Sequence, residues 1–208
     1  MSGVNYLNTN INNILNDDTT NKEKSISISN TGKVLVGITG GVALGLTVIC
    51  FPFVSPALRK FCLPYIPATN EQLSNIVKGL KGRKGFLLDL GSGDGRIVIE
   101  TAKRDFIAHG VELNPWLVLY SRINACRNGL GSKTRFLKKD LWKYNISKYD
   151  NIVIFGVDQM MNDLEKKIIK ECKPKCNILA CRFPLPNMVP FKTIGHGIDT
   201  VWVYEIKK

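Results

Sequence analysis

The sequence predicts an α/β fold in which a seven-stranded, mostly parallel sheet carries helices on both faces, ends in an antiparallel hairpin and follows one hydrophobic segment. Three observations support this prediction. Short apolar runs alternate with helical stretches from about residue 62 onward, a glycine-rich turn follows the first apolar run, and two strand-like runs surround a Gly-His-Gly turn near the end. Such alternation is typical of parallel sheets, whereas a short turn between two strands is typical of an antiparallel pair.

The chain begins with a polar tail. Residues 1–32 are rich in Asn, Ser and Thr and contain few large apolar side chains, so we expect them to be disordered. The tail holds two lysines, three acids and no arginine, which differs from an Arg-rich cleavable presequence.

A hydrophobic segment follows at residues 33–55, where we predict a transmembrane or membrane-anchoring helix. Its centre, Val34–Val54, is twenty-one residues long and carries no charge. A helix of that length spans about 30 Å, the thickness of a hydrocarbon core. Gly37, Gly41 and Gly45 share one helix face, as in helix contacts within lipid. The alternative is a buried core helix, for which these glycines are unfavourable.

Residues 56–69 form a predicted linker, and residues 70–208 form the predicted globular domain. The alternation of patterns sets the order of its elements. We predict helices at Asn70–Leu80, Ile97–Arg104, Pro115–Asn128 and Asn162–Cys172, and strands at Phe86–Leu90, Ala108–Leu113, Thr134–Lys138, Asn151–Val157, Asn177–Phe183, Phe191–Ile194 and Thr200–Ile206.

The net charge of the chain is +12, and because residues 1–32 carry −1, the remainder carries +13. A basic domain is attracted to anionic lipid or to nucleic acid, and charge alone does not choose between them. The six cysteines form no C-x-x-C pair, and the two histidines lie far apart in the sequence. We therefore expect mostly buried, reduced thiols and no metal site.

The sharpest motif is Asp89–Gly95, which reads DLGSGDG between a predicted strand and a predicted helix. Gly91 permits a sharp turn, Gly93 lets a ligand approach the backbone, and Gly95 lets the helix start close to the sheet. The dinucleotide pattern G-x-G-x-x-G fails because Arg96 occupies its last glycine position. The pattern D-x-G-x-G-x-G is that of methyltransferases that use S-adenosylmethionine (SAM), so the predicted sheet is the Rossmann-like sheet of SAM-dependent methyltransferases.

Acidic residues also end the next two predicted strands. Glu112 lies 17 residues after Gly95, at the place where an acid accepts hydrogen bonds from ribose hydroxyls in dinucleotide folds. Asp140 ends the third strand, where an acceptor can hold the adenine amino group. For each acid alone, a helix cap or a solvated loop is the alternative, but with Asp89 they form an ordered set of three. We predict a SAM site at Asp89, Gly91, Gly93, Gly95, Glu112, Asn114, Asp140 and Leu141.

Several blocks resemble a small family of mitochondrial protein lysine methyltransferases, over about residues 34–206. The most specific are Glu112–Val118 and Arg182–Pro184, and the resemblance extends to Phe53–Thr69, Gly91–Val98, Asp140–Lys143, Ile152–Gly156 and Gly197–Trp202. The resemblance implies SAM as cofactor and suggests that Tyr65 and Thr69 fold over it. It also implies a place at the mitochondrial inner membrane, with the catalytic domain facing the matrix.

The resemblance further implies a protein substrate. Members of the family act on a lysine of the ATP synthase c-subunit or of the ADP/ATP translocase, and Phe53–Thr69 and Ile154–Val157 are more similar to the branch that acts on the c-subunit. Membrane lipid is a second expected partner, because a basic surface can hold the domain against anionic headgroups.

The expected substrate pocket follows the fourth strand, at Phe155, Gly156, Val157, Asp158 and Gln159. A free lysine has a pKa near 10.4, so the pocket must favour the neutral amine by desolvation and by the nearby positive sulfonium, with an acceptor for the proton. Aromatic and carbonyl groups there would favour an amine that loses its water. Under the alternative interpretation, Phe155 and Val157 are core residues.

Two other functions stay open. An RNA methyltransferase would account for the +13 domain, although no RNA-binding module is recognisable and a membrane segment has no use in it, so we do not expect nucleic acid as a partner. A SAM-binding scaffold without catalysis would retain the same cofactor residues.

Overall fold

The computed structural model describes residues 29–54 and 66–207. Most of the predicted tail at residues 1–32 and most of the predicted linker at residues 56–69 lie outside the described residues. The chain divides into two compact units, the first ending at Leu46 and the second beginning at Thr47.

The first described helix, α1, covers Asn30–Val54 and contains no buried residue. It starts before the predicted segment because Ser29 caps it: the Ser29 hydroxyl oxygen accepts the N–H of Gly32 at 3.1 Å. An 18-residue window of α1 has a mean hydropathy of 2.3. Among the described residues, α1 is the one helix whose length and composition suffice to cross a membrane.

A seven-stranded sheet forms the centre of the second unit, in the order β3-β2-β1-β4-β5-β7-β6. The first five strands in the chain are parallel, whereas β7 pairs antiparallel with both β5 and β6. The predicted parallel sheet with an antiparallel C-terminal hairpin is therefore confirmed. Its strands are β1 (Phe86–Leu90), β2 (Ile107–Glu112), β3 (Thr134–Lys138), β4 (Asn151–Phe155), β5 (Asn177–Cys181), β6 (Lys192–Ile194) and β7 (Val201–Glu205).

Helices cover both faces of the sheet because strand side chains alternate between two apolar layers. These helices are α2 (Asn70–Gly79), α3 (Arg96–Ala102), α4 (Pro115–Arg127) and α5 (Asp158–Glu171), and a 3-10 turn at Gly197–Asp199 lies between β6 and β7. In β1, Leu88 packs into the layer that contains α5, whereas Leu87 packs into the layer that contains α2, α3 and α4.

Two strands end two residues earlier than predicted, and both changes affect the carboxyl edge of the sheet. β4 ends at Phe155 rather than Val157, because Val157 is the extended N-cap residue of α5. The helix itself begins at Asp158, four residues before the predicted start at Asn162. β5 ends at Cys181 rather than Phe183, because the φ of Arg182 is 71°, a left-handed value that turns the chain out of the sheet. The loops after β4 and β5 thus start at the edge where the predicted site lies.

Candidate active site

A crevice opens at the carboxyl ends of β1 and β4, the neighbouring strands between which the strand order reverses. Open α/β sheets bind ligands at such switch points. Of the predicted site residues, those that line the crevice are Asp89, Gly91, Gly93, Glu112, Asn114, Leu141, Phe155, Gly156 and Val157.

The other predicted residues lie beside this lining. Gly95 and Asp140 are each flanked by two residues that do line the crevice, and Asp158 follows directly after Val157. Gln159 lies on the first turn of α5, and Tyr65 lies outside the described residues.

The glycine turn after β1 depends on left-handed backbone. The φ angles of Gly91, Gly93 and Gly95 are 83°, 51° and 79°. A Cβ at Gly95 would also lie 2.6 Å from the Phe136 ring and 2.8 Å from the Ser121 side chain, so only glycine lets α3 begin this close to β3 and α4. The helix starts close to the sheet, as the sequence predicts for Gly95.

Asp89 is the least satisfied group of the crevice. It is 1% exposed, and neither of its carboxylate oxygens has a hydrogen-bond partner among residues 29–54 and 66–207. Burial raises the pKa of Asp89 to about 8, and the negative charges of Glu112 and Asp94 add to the rise. The Ser92 hydroxyl, also on the crevice wall, has no partner in the described part of the chain either. Buried polar groups are normally paired, so these two indicate a place for a ligand.

Glu112 fastens the glycine turn to the end of β2. One carboxylate oxygen accepts the N–H of Gly93 at 3.0 Å, and the other accepts the N–H groups of Leu113 and Asn114, both at 2.8 Å. A carboxylate offers about four acceptor positions, so these three bonds leave about one for a ligand. Asn114 in turn caps α4 by accepting the N–H of Trp116 at 3.0 Å, which places the start of that helix at the crevice.

Asp140 and Leu141 shape the loop after β3. One carboxylate oxygen of Asp140 accepts the N–H of Trp142 at 3.0 Å, which holds a tight turn. That turn places Lys139 and Leu141 on the crevice wall.

Three of the five predicted substrate residues, Phe155, Gly156 and Val157, line the crevice. Phe155 ends β4, and its ring carries the guanidinium of Arg182 at 5.4 Å from the ring centroid. A Cβ at Gly156 would be crowded, because it would lie 3.0 Å from the sulfur of Met161 and 3.1 Å from that of Met160, and these side chains would have to shift. Arg182 was not among the predicted site residues, although it begins one of the blocks that carry the family resemblance.

The segment before α2 contributes in a way that the sequence did not predict. Ile66, Pro67 and Ala68 line the crevice, whereas Thr69 does not. The Thr69 hydroxyl accepts the N–H of Gln72 at 3.0 Å, which caps α2, and donates to the Asp199 carboxylate.

Arg96 holds this segment to the glycine turn. Its guanidinium donates to the Ala68 carbonyl and forms a forked pair with the Asp94 carboxylate, whose shortest N–O distance is 2.6 Å. The residue that excludes the dinucleotide pattern is thus a structural link between two parts of the crevice wall. The sequence shows that Arg96 replaces the last glycine of the dinucleotide pattern, but it does not show that Arg96 binds the Ala68 carbonyl.

Comparison with known proteins gives two family-model matches. Residues 89–192 match the ANTKMT methyltransferase domain. Residues 28–59 match the N-terminal domain of ATP synthase C-subunit lysine N-methyltransferase.

Individual relatives of the chain are also named as lysine N-methyltransferases. The chain is 54% identical over 175 residues to the ATP synthase C-subunit lysine N-methyltransferase of Xenopus laevis, a match that covers 84% of this chain and 77% of the relative. It is 35% identical to the adenine nucleotide translocase lysine N-methyltransferase of Mus musculus, over 83% of this chain and 77% of the relative.

Among solved structures, the fold is similar to an RNA methyltransferase from Salinibacter ruber in complex with S-adenosyl-L-homocysteine. The TM-score is 0.65 at 26% identity, and the match covers 68% of this chain and 94% of that one.

Proposed function

The chain belongs to the family of ATP synthase C-subunit lysine N-methyltransferases, and from that premise we propose that its substrate is a lysine of the ATP synthase c-subunit. It is a SAM-dependent protein-lysine N-methyltransferase. Our proposal also includes its location, the mitochondrial inner membrane with the catalytic domain facing the matrix, and anionic lipid as a second partner.

The Asp89 carboxylate, which has no hydrogen-bond partner in the described part of the chain, carries the proposal for the cofactor. SAM is cationic at its sulfonium and its amino group, and when bound it supplies an electrophilic methyl group. A crevice whose wall contains three acids, Asp89, Asp94 and Glu112, fits such a ligand. We assign the amino acid end of SAM to Asp89 and the ribose to the free acceptor position of Glu112. The adenine is assigned to the turn at Asp140–Leu141.

The protein's own task is to present a neutral lysine amine to the methyl group. At pH ~7.4 only about one free lysine in a thousand is neutral, a handicap of roughly 4 kcal/mol. Phe155, Val157 and Phe183 give the crevice apolar walls, which disfavour an ammonium by desolvation. The fixed charge of Arg182 above Phe155 adds like-charge repulsion. Both effects lower the pKa of a lysine in this channel.

The proposed organisation of the chain follows the predicted boundaries. The tail ends where α1 begins at Asn30, residues 33–55 cross or anchor in the membrane, residues 56–69 form a linker and residues 70–208 form the catalytic domain. The apolar α1, which contains no buried residue, supports the anchor, since such a helix needs a lipid or protein environment.

The test is reconstitution of the full chain with purified ATP synthase c-subunit in liposomes, followed by intact-mass measurement after addition of SAM. We expect methyl increments on the c-subunit with the wild type and none with Gly93→Arg. The arginine side chain would fill the crevice, and the backbone at this position has a left-handed φ that favours glycine. Circular dichroism and thermal melting should show that the variant remains folded.

Other outcomes separate the alternatives. Methylation of the ADP/ATP translocase but not of the c-subunit would assign the chain the activity of the adenine nucleotide translocase lysine N-methyltransferases. The chain is 35% identical to the Mus musculus member of that group. Methylation of an RNA nucleoside alone would exclude the lysine substrate and assign the +13 surface to nucleic acid. SAM binding without methylation of any of the three would indicate a non-catalytic scaffold.

A further inference from the structure

Helix α4 is apolar on two opposite faces. Val118 and Ala125 are buried against the sheet. On the opposite side, Trp116, Leu119, Tyr120 and Ile123 are 38%, 48%, 55% and 46% exposed. Their spacing of three and four residues places them on one face of the helix. We name these four residues the outer face of α4.

Four large exposed apolar residues on one helix face are more than the isolated exposed residues of an ordinary surface. A surface helix normally turns polar residues outward. The outer face of α4 therefore indicates a partner that is apolar.

The outer face begins at the crevice. Asn114 and Leu117 line the crevice, and Trp116 lies between them in the sequence. Basic residues lie at the same edge of the sheet, since Lys138 ends β3 opposite Glu112 and Lys139 lines the crevice. Lys138, Lys139 and Lys143 are all exposed. We call these three lysines the basic edge. The outer face of α4 and the basic edge thus both lie next to the crevice.

We propose that the outer face of α4 rests in the headgroup region of an anionic lipid bilayer and thereby holds the crevice at the membrane surface. Trp and Tyr are favoured at this depth, because their rings are apolar and their N–H and O–H groups meet water. The basic edge complements anionic headgroups. A helix with an apolar face and a cationic border is the usual form of a helix that lies in the interface.

Lipid fits this surface better than a protein partner does. The net charge of +13 outside residues 1–32 disfavours a second copy of the chain, since two basic surfaces would meet. The exposed apolar helix α1 shows that the same chain has another surface suited to lipid. The inference rests on the proposed function in one respect: a membrane-embedded substrate gives the crevice a reason to face the bilayer.

The test uses the full chain in vesicles of phosphatidylcholine and phosphatidylglycerol, with and without bromine on the lipid acyl chains. Bromine quenches tryptophan fluorescence on contact. The chain has three tryptophans, of which Trp142 and Trp202 are only partly exposed. We expect bromolipid to quench the wild type, and Trp116→Phe to lose most of the quenched component. Equal quenched fractions in the two proteins would overturn the proposal.

A matched pair of variants tests the consequence for the enzyme. Ile123→Gln changes the outer face, whereas Ile169→Gln changes an equally exposed isoleucine on α5, on the opposite face of the sheet. We expect Ile123→Gln to reduce the methylation rate of bilayer-embedded c-subunit severalfold, with unchanged SAM affinity and an unchanged rate on detergent-solubilised c-subunit. Ile169→Gln should leave all three quantities unchanged.

Two results would show that the outer face of α4 binds a partner other than lipid. If Ile123→Gln slows methylation of solubilised c-subunit as much as that of embedded c-subunit, the face binds the substrate protein. If it abolishes a concentration-dependent dimer in analytical ultracentrifugation, the face binds a second copy. The quenching measurement requires no methyl transfer, so it can fail or succeed independently of the proposed substrate.

Discussion

At the scale of single residues, Asp89 is a motif residue whose pKa is changed by burial. The glycine-rich pattern predicts an acid at this position, and the strand places it on the crevice wall. Its ionisation depends on the absence of solvent and on two neighbouring carboxylates, Glu112 and Asp94, which lie 23 and five positions away in the sequence. A sequence pattern does not show this environment.

Replacing Asp89 by Asn should change both stability and binding. The pKa of Asp89 is about 8 in the folded protein against an ordinary value of 3.8, so between pH ~4 and ~8 the folded state holds a proton that the unfolded state has lost. Stability of the wild type therefore falls as pH rises through this window. Asp89→Asn removes that dependence and should raise the free energy of unfolding at pH 8 by several kcal/mol, since each unit of pKa corresponds to about 1.4 kcal/mol. Urea denaturation of both proteins at pH 5 and pH 8 measures the difference.

The same variant should bind SAM more weakly. The ionised form of Asp89 attracts a cationic ligand, so wild-type affinity should increase as pH rises towards about 8, with proton release on binding. Calorimetry in two buffers of different ionisation enthalpy detects the proton. Asp89→Asn should give a flat profile; a flat wild-type profile would contradict the assignment of Asp89.

Glu112 is the second residue whose removal should weaken cofactor binding. Glu112→Ala deletes the three backbone bonds that hold the glycine turn to β2, together with the proposed ribose acceptor. We expect SAM affinity to fall by about 1–3 kcal/mol. Glu100→Ala, which removes an exposed ion pair with Arg104 near the end of α3, is the control. Calorimetry that gives wild-type affinity for Glu112→Ala would remove Glu112 from the site.

At the scale of elements, the sequence predicted the order and type of the strands because each has a local signature. β1 and β3 have the predicted limits, and the hairpin of β6 and β7 lies where the glycine turn indicated it. Contacts between distant segments were not predictable in this way. Asn75 on α2 donates to the Asp199 carbonyl at 3.1 Å across 124 positions, and no local pattern indicates that pairing. For the same reason the sequence named Thr69 rather than residues 66–68 as the part of this segment at the crevice.

Arg96 provides the prediction at this scale. Arg96→Lys retains the charge but loses the planar fork that joins the Ala68 carbonyl to the Asp94 carboxylate. The segment at residues 66–69 should then exchange its amide hydrogens faster, and SAM affinity should fall by about tenfold, or about 1.4 kcal/mol. Arg104→Lys, at an exposed pair with Glu100 near the end of α3, is the matched control. Unchanged exchange in Arg96→Lys would show that the segment is held by other contacts.

At the scale of the whole molecule, three features are suited to contact with a lipid bilayer. The apolar α1, the basic charge of the chain and the outer face of α4 each suit a lipid bilayer, although they occur in different parts of the sequence. The composition predicted the first two, because length and charge can be counted. The third required the structure, because only the packing of α4 on the sheet shows which of its apolar residues stay exposed.

The last prediction separates anchoring from catalysis. An enzyme that is tethered to the bilayer meets a membrane-embedded loop at a high effective concentration, whereas the same enzyme in solution must first find the membrane. Deleting residues 1–54 should therefore lower the methylation rate of the c-subunit in liposomes by about two orders of magnitude. Of the described residues that line the crevice, the deletion removes Pro52 and Phe53 alone. SAM affinity and the rate on detergent-solubilised c-subunit should therefore change much less than the rate on the embedded c-subunit. Carbonate extraction should leave the full chain with the membranes and release the shortened one. Equal rates of the two forms on embedded c-subunit would mean that α1 has no part in meeting the substrate, and the outer face of α4 would then have to account for membrane contact alone.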